Sequence, residues 1–98
     1  WLHQLDFTAN LLKRSRKFAE APSVTAKRHI KVSPFAGEPV GWIIDNVGPD
    51  MLVFASDYPH PEGTNDPIGK FERTMTDCDA ETMDKFYFGN MLDLMGLS

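Results

Sequence analysis

The residues best suited to chemistry stand in one short stretch of the chain, Met51 to Gly63. An apolar run leads directly into a loop that carries Asp57, His60 and Glu62. The same loop contains two hydroxyl side chains and two prolines that stiffen it, namely Ser56, Tyr58, Pro59 and Pro61. A carboxylate at the end of a buried strand offers a hard oxygen ligand for a metal, or a general base. The alternative is that Asp57 only forms a structural hydrogen bond within the turn.

The composition limits the kinds of function that this chain can have. Its 98 residues, 42% of them hydrophobic, suit one modest domain with a core. A formal net charge of -4 and a pI near 5.2 argue against a general nucleic-acid-binding protein, which needs a net basic face. No apolar run approaches the roughly 20 residues of a membrane span, and the single cysteine, Cys78, excludes an internal disulfide. We therefore expect a cytoplasmic protein that binds neither nucleic acid nor membrane.

Two predicted strands flank a predicted helix. Residues 30–35 alternate in polarity and residues 51–56 begin with the apolar run, so both are predicted to be strands. Between them Val40, Ile43, Ile44 and Val47 share one helical face, which should pack on a sheet, and Gly48 is predicted to end this helix. Two strands joined by a packed helix are expected to be parallel, with their ligand-binding loops at the carboxyl ends. The sequence therefore predicts an α/β fold.

Further helices are predicted on both sides of this unit. Apolar spacing predicts a first helix from Trp1 to Leu12 and a short helical turn from Pro22 to Lys27. Asp66 and Asp79 are expected to cap two later helices, and the Gly89-Asn90 pair is predicted to break the last one. The basic run after the first helix is interpreted as a solvated helix end rather than a phosphate contact; it comprises Lys13, Arg14, Arg16 and Lys17.

The loop sequence closely resembles a known family. Ser-Asp-Tyr-Pro-His-Pro-Glu-Gly, at Ser56 to Gly63, is similar to the eighth strand and its loop in the amidohydrolase 2 family. These are metal-dependent (β/α)8-barrel hydrolases and decarboxylases, related to aminocarboxymuconate semialdehyde decarboxylase. The opening residues 1–6 resemble the family's Trp-Leu-x-Arg-Leu-Asp helix, residues 28–32 its approach to strand seven, and residues 89–97 its closing helix. The resemblance covers essentially the whole chain.

The resemblance implies a fold and a domain organisation. Residues 1–98 would be the C-terminal segment of a single barrel domain, a βαβα fragment of a (β/α)8 TIM barrel with two parallel strands at about 30–35 and 51–56. The chain opens at Trp1 and contains no counterpart of the family's first strands, so we expect it to be a piece of a longer protein, or a processed one. Open strand edges need a partner. We therefore expect self-association or packing against the missing N-terminal part of the barrel.

The resemblance also implies roles for the loop residues. Asp57 would be the strand-eight aspartate, which binds the divalent metal, expected to be zinc, or acts as the base on the water that the metal activates. His60 and Glu62 match the same motif and are expected to contact a small-molecule substrate, with loop hydrogen bonds as the alternative. The family's His-x-His pair has no counterpart here. Since a catalytic zinc usually keeps three protein ligands, the 98-residue chain alone is expected to bind metal weakly or not at all and to be inactive.

The predicted function is thus that of one part of a metal-dependent hydrolase, which activates water on a small organic substrate. Two alternatives stay open, a non-oxidative decarboxylase of the same family and a non-catalytic folding or oligomerisation module. The reading frame upstream of Trp1 separates enzyme from module. A His-x-His pair on a first strand would favour the enzyme, and a start codon just before Trp1 would favour the module.

Overall fold

The chain forms two compact units in the computed structural model, Trp1–Ile30 and Lys31–Ser98. Residues 1–12 and 17–97 are described, so most of the predicted basic run, Lys13, Arg14 and Arg16, lies outside the described residues. Within the described residues, no helix combines the length and the apolar character that crossing a bilayer requires.

The first unit contains two helices, α1 (Leu2–Leu11) and α2 (Pro22–His29). Both were predicted from the sequence, although α2 extends beyond the predicted Lys27. The residue before α2 is Ala21, which has no side chain that can cap the helix. Asp6 of α1 accepts hydrogen bonds from the Ser23 hydroxyl at 2.6 Å and from the Ser23 amide at 2.8 Å. These two bonds, the hydroxyl first, lower the pKa of Asp6 and join the start of α2 to α1.

Three helices of the second unit begin or end as the sequence predicts. Helix α3 (Val40–Val47) stops at Gly48, whose φ of 90° suits glycine. Helix α4 (Pro67–Glu72) is capped by Asp66, whose carboxylate accepts from the Gly69 amide at 3.2 Å. Asp79 caps α5 (Ala80–Asp84) in the same way, accepting from the Thr82 amide at 2.8 Å. The cap residues therefore located these helices correctly.

The predicted break at Gly89-Asn90 is wrong. Helix α5 continues through a π-helical turn, Lys85–Gly89, directly into α6 (Asn90–Leu94). Asn90 is only 4% exposed, and its side-chain amide donates to the carbonyl oxygens of Pro49 at 2.7 Å and Leu52 at 2.8 Å. A buried amide that satisfies two carbonyls stabilises the helix where local turn propensity would end it.

The two predicted parallel strands are also wrong. Residues 30–35 and 51–56 meet only at one isolated parallel bridge, Val32 with Leu52. Its two bonds run from the Val32 amide to the Met51 carbonyl, 2.8 Å, and from the Val53 amide to the Val32 carbonyl, 3.0 Å. The next bond of a parallel ladder would need an amide proton at residue 34, which is proline. The amide of Phe54 donates instead to the helical carbonyl of Phe86.

The predicted α/β class, a βαβα fragment of a TIM barrel, is therefore contradicted, because the described residues form helices joined by loops with no sheet. The apolar face of α3 is buried at Val40 and Ile44 and half-buried at Ile43 and Val47, and it packs on other helices and on the residue 51–53 segment instead of a sheet. This core cluster consists of Val40, Ile44, Leu52, Phe71, Met75 and Phe86. It holds in place the segment that leads into the Asp57 loop.

Candidate active site

The Asp57 loop starts from a fixed point in the core of the second unit. Met51, Leu52 and Val53 are each no more than 6% exposed, so the chain is buried up to the residue before Phe54. Phe54 then donates its amide to the Phe86 carbonyl at 2.9 Å, and its ring packs edge-on against Phe71 and Phe86. This packing sets the point from which the loop leaves the core.

Short backbone hydrogen bonds shape the loop itself. The Asp57 carbonyl accepts from the His60 amide, and the His60 carbonyl accepts from the Gly63 amide, both at 2.9 Å. Asp57 has a φ of 53°, the left-handed region that aspartate tolerates better than most residues, and the Tyr58–Pro59 peptide bond is cis. These two consecutive turns fold residues 57–63 back on themselves, so residues separated in sequence come together.

Glycine is required at position 63 by this folding back. A Cβ atom there would lie 2.4 Å from the Asp57 carbonyl oxygen and 3.1 Å from that of His60. A Cβ atom essentially never approaches another non-bonded atom as closely as 2.4 Å. Both neighbouring atoms belong to the backbone, so they could move away only if the loop changed its conformation. Gly63 therefore permits the close approach that fixes the position of Asp57.

Asp57 and His60 are in direct contact. Nδ1 of His60 lies 3.0 Å from Oδ1 of Asp57, within hydrogen-bonding distance. When Nδ1 carries the proton it donates to the carboxylate, and Nε2 is left as a proton acceptor or a metal ligand. The second carboxylate oxygen of Asp57 keeps its own lone pairs for another partner.

Glu62 completes a group of three side chains of the types that can bind a metal ion. One ligand atom from each of Asp57, His60 and Glu62 can be chosen so that all lie within 4.8 Å of one another. At metal–ligand distances of about 2.0 to 2.2 Å, ligand atoms in the tetrahedral arrangement of zinc are about 3.3 to 3.6 Å apart. The three atoms would therefore need to move closer to one another, by up to about 1.5 Å, to bind one ion together. Two carboxylates and one imidazole suit zinc and other divalent ions of borderline hardness.

The group lies on an open surface. All three residues are exposed, with the side chains of Asp57 and His60 exposing 42% and 71% of their areas. Three cavities of about 440 to 490 Å³ occur in the first unit, and none of these three is lined by the loop residues. The three side chains are therefore accessible to solvent in the part of the chain that the structure describes.

The sequence prediction named the same three residues, and the structure brings them together. It did not predict that Asp57 and His60 pair directly. The contact could have been predicted from their spacing. Asp57 and His60 are three positions apart with Pro59 between them, and a tight turn brings residues at this spacing together. The catalytic, metal-binding and substrate-binding roles assigned to them stay predictions.

One solved structure with a closely similar fold is an amidohydrolase from Mycobacterium avium subsp. paratuberculosis K-10. The two share 25% sequence identity with a TM-score of 0.78, over 97% of this chain. The similarity covers 24% of the other protein, so the chain spans about a quarter of the structure that it matches. No protein-family profile matches the chain. The chain is therefore similar in structure to one segment of an amidohydrolase.

Proposed function

We propose that this chain is part of a metal-dependent hydrolase of the amidohydrolase superfamily that acts on a small organic substrate. The observation that carries the proposal is the convergence of Asp57, His60 and Glu62 on one loop, in a chain whose fold is similar to a segment of an amidohydrolase. The Ser-Asp-Tyr-Pro-His motif supports the amidohydrolase 2 family within that superfamily.

Asp57 is the residue proposed to hold the metal or to act as the base. A divalent metal such as zinc, when bound, lowers the pKa of its water toward about 7. Asp57 can bind through the carboxylate oxygen that His60 does not contact, or can take the proton from the attacking water. Its carboxylate is oriented by His60 and its backbone by the two turns that end at Gly63. Because the carboxylate is already positioned in this way, it loses less conformational freedom when it reaches the reactive geometry.

His60 and Glu62 are proposed to contact the substrate. With Nδ1 donating to Asp57, Nε2 of His60 can accept a proton or a hydrogen bond from a substrate group. Glu62 lies close enough to present a second carboxylate to the same region. The apolar walls of the pocket would come from parts of the hydrolase other than this loop.

Chelation tests the proposal in the complete hydrolase that contains this sequence. Hydrolysis of a panel of small amides and carboxylated esters should be lost on dialysis against a chelator and restored by zinc, because the activated water depends on the metal. Restoration by magnesium alone at the same concentration serves as the control. Hydrolysis that survives complete removal of the metal would refute metal dependence.

The 98-residue chain alone is proposed to bind zinc weakly and to have no turnover. Its three candidate ligands are exposed on one loop, and Oδ1 of Asp57 is shared with Nδ1 of His60, so the two cannot both ligate through those atoms. Calorimetric titration with zinc should therefore reveal no tight stoichiometric site, and the Asp57→Asn variant should give the same weak heats. A tight one-to-one site in the unaltered chain would contradict this expectation.

A further inference from the structure

Asn90 is a buried polar residue at the start of α6, only 4% exposed. Its side-chain nitrogen donates to the carbonyl oxygens of Pro49 at 2.7 Å and of Leu52 at 2.8 Å, which stand 41 and 38 positions earlier in the chain. An amide nitrogen has two hydrogens, so both donors of Asn90 are used. Because a buried polar group without a partner is costly, this side chain ties α6 to the segment that leads to the Asp57 loop.

The π-helical turn Lys85–Gly89 makes a second contact with that segment possible. In an α-helix the backbone amide of Asn90 would donate to the carbonyl four residues earlier, that of Phe86. Here it donates to the Lys85 carbonyl, five residues earlier. The Phe86 carbonyl is therefore released from that bond, and it accepts from the Phe54 amide at 2.9 Å. Single π turns of this kind are frequent at functional sites.

The segment of residues 49–54 is consequently bonded along both of its edges. On one edge, Met51 and Val53 bond to Val32 through the isolated parallel bridge. On the other edge, the Leu52 carbonyl and the Phe54 amide bond to the helical stretch. Successive residues of an extended chain direct their backbone groups to opposite sides, so the helix takes the place of a second neighbouring strand.

Asp57 stands only three residues beyond this helical contact. A chain spans at most about 3.6 Å per residue, so the Cα atom of Asp57 lies within about 11 Å of that of Phe54. Ala55 and Ser56 between them are half-buried, and the Ser56 hydroxyl accepts from the Tyr58 amide at 3.2 Å. A short connection that is bonded within itself transmits a shift of its anchor. The position of Phe54 therefore sets the position of Asp57.

We propose that Asn90 is a positioning residue for Asp57, together with the carbonyl that the π turn releases at Phe86. Both act on Asp57 through the segment of residues 49–54. Three hydrogen bonds, here called the clamp, do this: those from Asn90 to Pro49 and Leu52 and that from Phe54 to Phe86. The consequence for catalysis rests on the proposed hydrolase function, whereas the clamp itself does not.

Amide hydrogen exchange, followed by NMR in the 98-residue chain, tests the clamp without an assay of activity. Asn90→Ala should raise the exchange rates of the His60 and Gly63 amides at least about tenfold, because the turns they close lose their anchor. The Thr82 amide, bonded at the start of α5, reports on the unit as a whole and should change by less than about threefold. An equal rise at Thr82 would mean a general loss of stability, and the proposal would fail.

Asn46 offers a matched control in the same unit. Its side-chain amide donates to the Trp42 carbonyl at 2.8 Å, but from an exposed position on α3. Asn46→Ala thus removes the same kind of bond and should leave exchange in the loop unchanged. Asn90→Ser keeps one donor and should have a smaller effect than Asn90→Ala, so it keeps the test measurable if the alanine variant does not fold. Equal loop exchange in the Asn90 and Asn46 variants would overturn the clamp.

Deletion of Phe88 tests the contribution of the π turn. Phe88 is 53% exposed, so its removal costs little packing, and one residue fewer restores the four-residue spacing of an α-helix. The Phe86 carbonyl would then be occupied within the helix, so the Phe54 amide should exchange at least about tenfold faster. A Phe54 amide as protected as in the unaltered chain would overturn the role of the π turn.

Kinetics of the complete hydrolase test the consequence for catalysis. Asn90→Ala should lower kcat by about tenfold to 10²-fold, the effect of a small misplacement of a reacting group. It should also raise KM, because His60 and Glu62 belong to the same loop, while Asn46→Ala should change neither constant. Partial unfolding would only reduce the amount of active enzyme, so a lower kcat at unchanged KM would contradict the positioning role.

The two proposals fail in different ways. If hydrolysis survives removal of the metal, the proposed metal-dependent function is wrong, and the exchange rates still decide whether the clamp fixes the loop. If hydrolysis depends on the metal but Asn90→Ala keeps the kcat and KM of the unaltered enzyme, the function stands and Asn90 has no positioning role.

Discussion

Replacing Asp57 with asparagine is expected to lower kcat/KM of the complete hydrolase by about 10² to 10⁴-fold, the range over which a positioned acid–base group contributes. Asparagine preserves the shape of the loop, because it also tolerates the left-handed backbone that Asp57 adopts with a φ of 53°. Its side-chain oxygen can still accept from Nδ1 of His60, now at 3.0 Å. The substitution therefore removes the charge while keeping the structural hydrogen bond. Steady-state kinetics over the substrate panel measure the effect.

The same substitution at Asp77 serves as the control. Asp77 is exposed in the same unit, so Asp77→Asn makes an identical change in charge and size away from the loop. Its kcat/KM should stay close to that of the unaltered protein. If Asp57→Asn lost less than about tenfold, Asp57 would be a structural turn residue and its proposed role in catalysis would be wrong.

Local signals in the sequence were sufficient where one residue decides the structure of its neighbours. Asp66 and Asp79 cap helices because an aspartate side chain can reach the amide three residues later, whatever the rest of the fold. Gly48 ends α3 for an equally local reason, its positive φ. Such signals depend on a few adjacent residues, so they can be interpreted from sequence alone.

The errors arose where contacts between distant residues decide the outcome. The break expected at Asn90 does not occur because its amide bonds carbonyls some forty residues earlier in the chain. The ladder expected between residues 30–35 and 51–56 stops after one bridge. The sequence already indicated this limit, since Pro34 has no amide proton to donate to the next bond of the ladder. A continuous apolar run predicts burial, and residues 51–53 are indeed buried, but burial alone does not make a strand.

The candidate site contains features that adjacent residues decide and features that distant contacts decide. Its residues were identified from one motif, because Asp57, His60 and Glu62 lie within six positions of sequence and the turn that joins them is local. The surface around the loop could not be predicted in this way. It depends on which elements pack beside the loop, and the described residues leave the loop open to solvent.

Replacing Phe86 with alanine is expected to destabilise the second unit by about 3 to 5 kcal/mol, the usual cost of removing a buried phenylalanine. Phe86 is 1% exposed, and its ring lies 5.3 Å from that of Phe71 and 6.0 Å from that of Phe54, between ring centroids. A small domain is stable by only about 5 to 15 kcal/mol, so this loss removes a large part of the total. Urea unfolding followed by circular dichroism measures it.

A matched control lies two positions away on the same helical stretch. Phe88 is 53% exposed, so Phe88→Ala should change the free energy of unfolding by less than about 0.5 kcal/mol. Phe86→Leu, which removes less volume, should lose less than Phe86→Ala and keeps the comparison measurable if the alanine variant does not fold. Because Phe54 packs on Phe86 just before the Asp57 loop, loss of this ring should also loosen the loop. Equal destabilisation by the two alanine substitutions would mean that the aromatic cluster does not anchor the candidate site.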